Sequence, residues 1–218
     1  MIRRRSALVL VLAAVVPSAL NGQSSIRTTK HNLSVSGPGT VRAQAETQIC
    51  VFCHTPHNSR TQAPLWNRND SGGTYTMYWS ATMDAYASAA AAPQPNGSSK
   101  LCLSCHDGTL ALGATVASGS IPMSGGITTM PSGGANFGLD LSGHHPVSFQ
   151  VTDLLVSTNN SRGDTPLKSL AQMRASPVIK LDVSDRVQCT SCHDAHKDAY
   201  GSFLRAPSTD TICLSCHS

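Results

Sequence analysis

The fold class that this sequence predicts is mostly irregular coil with a few short helices and minimal strand, built around something other than its own side chains. Large apolar residues are scarce: aromatics are 5% of the 218 residues, against 17 glycines and 12 prolines. Such a chain buries too little apolar surface to close a core alone. No long stretch repeats apolar residues at helical spacing, which argues against a four-helix bundle. All eight cysteines fall into four copies of one pattern: Cys50-Val51-Phe52-Cys53-His54, Cys102-Leu103-Ser104-Cys105-His106, Cys189-Thr190-Ser191-Cys192-His193 and Cys213-Leu214-Ser215-Cys216-His217.

That pattern attaches c-type haem. Thiols at i and i+3 lie one helical turn apart, so each can form a thioether to one porphyrin, and the adjacent imidazole reaches the iron as proximal ligand. Paired thiols of this spacing also bind zinc, but zinc leaves the four following histidines unexplained. A disulfide framework leaves them unexplained as well. The sequence therefore predicts a haem-cored multihaem cytochrome c fold with four covalently attached haems c, whose porphyrin faces supply most of the buried apolar surface.

Taken in order, the chain opens with Arg3-Arg4-Arg5, an apolar run from Ala7 to Val16 and small residues near Ser18 to Gly22. Residues 1–22 read as a secretory signal peptide, too short in its apolar part to span a bilayer comfortably, so the mature chain is expected to be exported with no membrane span. The Ala run within Asp84 to Ser99 reads as a short helix ended by Pro93, Pro95 and Gly97, and Gly113 to Gly138 as a long irregular wrap. Short helices are expected to carry the motifs, and Val178 to Val183 a brief strand. The motif starts lie 52, 87 and 24 residues apart, so the third and fourth form a close pair. Residues 23–138 read as an N-terminal dihaem half and 139–218 as a C-terminal dihaem half, joined by haem stacking into one unit. Cys53-His54-Thr55-Pro56-His57 echoes Cys192-His193-Asp194-Ala195-His196, both of the form CxxCHxxH.

The formal charge of +4 shrinks once the signal is set aside, because three of the 16 basic residues lie in it and leave 13 against 12 acidic ones. Haem propionates add negative charge, so no basic patch remains to favour nucleic acid. No catalytic residue set stands out. The Asn-x-Ser sequons at Asn32, Asn69, Asn96 and Asn159 read as unmodified loop asparagines.

Nine histidines are present and four are proximal, His54, His106, His193 and His217, which leaves His31, His57, His144, His145 and His196 for the opposite faces. Bis-imidazole ligation closes an iron to small substrates and favours electron transfer over catalysis. Methionine could serve instead, but a sequence with enough histidine needs none. His57 and His196, three residues beyond a proximal histidine, cannot cross to the far side of the same haem, so each is expected to serve a neighbouring iron. On this reading His193 and His196 would serve the third and fourth haems.

The stretch Cys-Val-Phe-Cys-His-Thr-Pro-His at 50–57, Pro64-Leu65-Trp66-Asn67, His145-Pro146-Val147 and the doubled CxxCH at 189–217 resemble multihaem cytochromes with a doubled CxxCH motif. Specifically, the chain from Lys30 onward resembles the OmcE-type tetrahaem cytochromes that polymerise into extracellular nanowires. The resemblance picks His145, the residue in the His-Pro-Val element, over His144, so that His31, His57, His145 and His196 become the distal set. It implies a homopolymer with head-to-tail haem contacts, in which a histidine of one subunit caps an iron of the next, delivering electrons to other redox proteins or extracellular acceptors. With His217 so near the last residue, the fourth haem is expected to lack downstream cover and to offer an apolar docking edge. The alternatives are a monomeric periplasmic electron shuttle and, further off, a multihaem reductase, which would need an open iron and a basic pocket.

Overall fold

The computed structural model describes residues 26–60, 63–163 and 165–218; the signal segment 1–22 lies outside them. Among the described residues the chain is mostly coil. The longest helices, α1 (Gly97–His106) and α2 (Asp153–Arg162), have ten residues each, and α3 (Leu170–Arg174), α4 (Cys189–Cys192) and α5 (Thr209–Cys213) are about one turn. Strand is confined to two-residue pairs, β1 (Thr76–Met77) parallel to β4 (Asp140–Leu141) and β2 (Ala114–Thr115) antiparallel to β3 (Gly119–Ser120). Caps rather than length define the helices: Thr152, Ser169 and Ser208 side chains accept the first free amides of α2, α3 and α5.

Two local expectations are corrected. The Ala run makes only one 3₁₀ turn, Ala89–Ala91, and Ala92 is already extended before Pro93. A residue before proline is pushed out of the helical region, so α1 starts only after Pro95. Val178 to Val183 forms no strand. Its amides are taken locally and across the chain, Ile179 N by Ser176 Oγ, Lys180 N by Ser191 O and Asp182 N by Arg186 O, so no ladder can form. The wrap from Gly113 to Gly138 is irregular apart from the β2–β3 hairpin and a 3₁₀ turn at Ser124–Gly126. There a Cβ on Gly113 would lie 1.9 Å from Ile121 O, an approach only glycine allows.

The apolar side chains gather in three small clusters instead of one core. Phe52, Leu112 and Met123 form one, against which Cys53 and Cys105 pack. Tyr75, Met77, Leu103 and Leu141 form a second. Val151, Leu170, Met173, Ile179 and Ile212 centre a third, against which Cys192 and Cys216 pack. Two clusters thus end at motif cysteines, which puts the attachment chemistry where the side chains are thickest.

Candidate haem centres

Each motif closes one helical turn. His54 N donates to Cys50 O at 2.8 Å, His193 N to Cys189 O at 3.1 Å and His217 N to Cys213 O at 2.9 Å, while the second motif is the end of α1. Both cysteines of a motif therefore face one side, as two thioethers to one ring require.

The sulfurs run in series from motif to motif. Cys53 and Cys105 share the Phe52 cluster, and Cys192 and Cys216 share the Val151 cluster. Between these pairs, Cys102 and Cys189 are in hydrogen-bond contact, which pushes the Cys102 thiol up and draws Cys189 down. Buried Gln188 holds that junction. Its Oε1 accepts from Ser99 Oγ at 2.6 Å, its Nε2 donates to Asn96 and Asp182 at 2.9 Å each, and Cys189 N donates to Ser99 Oγ. Gly97, at φ +49°, lets α1 start against this amide, where a Cβ would meet Gln188 Nε2 at 2.9 Å.

The sequence echo at the first and third motifs extends into a structural duplication. His54 bridges Trp66, and His193 bridges Leu204, each antiparallel. Thr55 N donates to Leu65 O and Asp194 N to Phe203 O, at 2.8 Å each; Asn67 N donates to Cys53 O and Arg205 N to Cys192 O. Leu65 and Phe203 both take left-handed backbone, φ 64° and 57°. The side chain that follows reaches back to the second residue of its motif, Asn67 Nδ2 to Val51 O at 2.7 Å and Arg205 Nε to Thr190 O at 2.8 Å.

The histidines meet in pairs. The His196 ring faces His54 with centroids 6.0 Å apart, and His31 faces His106 at the same separation. His145 lies close enough to His217 to act on it electrostatically. His196 therefore turns to the first motif and not to the fourth, because the loop at 194–197 folds back over the N-terminal residues, where Ala195 O accepts from His31 Nδ1 at 3.0 Å. His57 and His193 have no histidine ring opposite them among the described residues. His144 contacts Phe137 instead, at 5.0 Å. Phe203 stacks on His31 at 4.0 Å.

Nitrogen by nitrogen, the rings suit iron. Backbone carbonyls take Nδ1 of His31, His106 (Ala135 O, 2.7 Å), His145 (Pro146 O, 2.8 Å) and His193 (Ser202 O, 2.8 Å). With the proton fixed on Nδ1, the Nε2 lone pair is left as the ligand, the arrangement seen at metal-bound histidines. Burial, joined by a neighbouring histidine in each case, lowers the pKa of His31, His54, His106 and His217, which keeps the rings neutral and ready to bind. Two imidazoles on one metal, each bonded at about 2 Å with about 1.1 Å more to the ring centre, stand about 6 Å apart, as the His54–His196 and His31–His106 pairs do.

The second sulfur of each motif fits a thioether better than a thiolate. Burial pushes the Cys53 thiol up to about 12 and Cys192 up to about 11, and also raises Cys105 and Cys216. All eight cysteines are free of disulfides, and among the described residues no three His, Cys, Asp or Glu side chains converge on a metal site of their own. The residues present thus fit a haem that brings its iron with it, and fit zinc poorly.

Sequence reasoning missed three residues that hold the motifs: Asn67, Arg68 and Gln188, all nearly or fully buried. Their only signal is polar side chains placed beside or near CxxCH motifs, which nothing in the pattern itself marks as buried. No helix among the described residues is long and apolar enough to cross a membrane.

No curated protein matches this chain. Residues 182–218 match the protein family described as the doubled CXXCH motif. Together with the motif geometry, that match supports a multihaem c-type cytochrome that binds haem c covalently and takes part in electron transfer.

Proposed function

We propose that the protein carries four haems c and passes electrons along them as the repeating subunit of an extracellular filament. The thioethers fall to Cys50 and Cys53, Cys102 and Cys105, Cys189 and Cys192, and Cys213 and Cys216. His54, His106, His193 and His217 are the proximal ligands. Within one chain His196, His31 and His145 cap the first, second and fourth irons. When bound, the haem supplies a one-electron iron couple. The protein's part is to hold the series in contact, exclude solvent and close every iron with imidazole, which makes it a carrier and not an enzyme.

The duplication carries this reading. In the second copy of the loop, His196 lies 6.0 Å from His54 of the first copy. The equivalent of His196 in the first copy is His57, and the equivalent of His54 in the second is His193. Among the described residues neither has a histidine ring set opposite it at that distance, and His193 acts on His106 only electrostatically. If one subunit repeats on the next the relation that its two halves have to each other, His57 of a neighbouring copy caps the iron at His193. Such a contact is head-to-tail, and where its rotation does not close into a ring it generates a polymer. The signal segment supports export, so the filament is extracellular and its partners are further copies, other redox proteins and extracellular acceptors.

Electron micrographs of the haem-loaded, secreted protein test the proposal. Filaments of a tetrahaem repeat are expected from the wild type and monomers from His57→Ala. Filaments that persist in His57→Ala, or a wild type that stays monomeric at high concentration, would sink it.

A further inference from the structure

We propose that Arg68 is a built-in electrostatic element that raises the reduction potentials of the haems at the first and second motifs above those they would otherwise have. It is 1% exposed. Its Nη1 donates to Leu112 O at 2.7 Å and Ala114 O at 3.2 Å, its Nη2 to Ser104 O and Ala111 O at 2.9 Å each, and its Nε to Ser104 Oγ at 3.3 Å. All of these acceptors are neutral, and among the described residues Arg68 makes no ion pair. Ser104 lies inside the second motif, and the preceding Asn67 is bolted to the first through Cys53 O and Val51 O. The guanidinium therefore sits where both attachment turns meet.

An iron that gains an electron loses one unit of positive charge, so a fixed cation nearby favours the reduced form. The effect is strong when no counter-ion and little water screen it. Oriented carbonyls satisfy the guanidinium's donors but do not remove its unit charge.

The second copy of the loop supplies the contrast. There the residue after Arg205 is Ala206, 3% exposed, at the position that Arg68 holds in the first. The cation near Cys192 is Arg205 itself, and it is paired with Asp194 at 3.6 Å. The motifs nearest Arg68 and Ala206 are otherwise alike, since Cys-Leu-Ser-Cys-His occurs at both 102–106 and 213–217. One half of the molecule thus has a buried unpaired charge where the other has a methyl group, and the first two haems hold electrons more tightly than the same ligands alone would make them.

This rests on the haem assignment proposed above, and the two fail separately. Spectropotentiometric titration of the four-haem protein is the experiment, with Arg68→Met removing the charge, Arg68→Lys keeping it, and Ser104→Asp placing a carboxylate beside an intact Arg68. Arg68→Met and Ser104→Asp should each lower two of the four haems by about tenfold in the reduced-to-oxidised ratio at fixed potential, about 59 mV for one electron, and leave the other two unmoved. Arg68→Lys should stay near the wild type. Should Arg68→Met fail to load four haems, Ser104→Asp decides. A variant with four low-spin haems and an unshifted titration overturns the role of Arg68, as does Arg68→Lys falling as far as Arg68→Met. An assembled wild type without four low-spin haems overturns the haem assignment instead.

Discussion

The loop from Cys50 to Arg68 and the loop from Cys189 to Ala206 use the same backbone and different side chains. Each returns to its motif as an antiparallel bridge, turns through a left-handed residue and sends one side chain to the carbonyl after the first cysteine. In the first loop the returning side chain is Asn67, buried beside Arg68. In the second it is Arg205, partly exposed and paired with Asp194. The difference teaches where each attachment turn gets its strength. The first is held by hydrogen bonds of a fully buried amide that are costly to leave unmade, and the second by a rim ion pair that solvent screens.

The largest way to break the comparison is at the histidines, which the duplication makes equivalent but the chain uses differently. His196→Ala should convert one haem to high spin in the isolated subunit, read as a ferric high-spin signal. His57→Ala should leave the isolated subunit's spectrum unchanged and remove only the gain in low-spin signal that assembly brings. Next in size is Asn67→Ala. It removes a fully buried side chain and takes the partner from half-buried Val51 O and Ala117 N, and should cost about 3 kcal/mol in denaturant unfolding of the haem-loaded protein. Gln188→Ala, at the junction of the second and third motifs, should cost about 2 kcal/mol, since its partners can re-form bonds only in part. Arg205→Ala, the counterpart of Asn67→Ala, should cost only about 1 kcal/mol, and less in high salt. The smallest contrast is at the left-handed turns. Leu65→Gly relieves strain at an exposed side chain and should stabilise by up to about 1 kcal/mol, whereas Phe203→Gly gives up the stack on His31 and should gain nothing.

Much of this was legible in the sequence because haem attachment is local chemistry. Two thiols and an imidazole within five residues define a site without any tertiary information, so the cofactor class and the coil-rich fold could be read from the motifs and the scarcity of aromatics. What could not be read depends on contacts distant in sequence. Nothing near His196 says that it turns to His54, and spacing alone pointed to the fourth motif. Asn67 was visible only as the last letter of Pro64-Leu65-Trp66-Asn67, with no sign of its burial against Val51 and Ala117. Arg68 has Asp70 two residues on in sequence, and only the fold shows that Asp70 pairs with Arg60 and Lys100 while carbonyls from Ser104 to Ala114 enclose the arginine. The alanine run misled for the opposite reason: helix propensity was there, but two prolines removed the continuation.

The central claim is that the two loops exchange histidine caps, His196 to His54 inside a subunit and His57 to His193 between subunits. Electron paramagnetic resonance of the ferric protein, taken on isolated subunits and again on assembled ones, tests it most directly. The isolated subunit should show three low-spin haems and one high-spin haem, and the assembled one four low-spin haems. Four low-spin haems in a monodisperse monomer would contradict it.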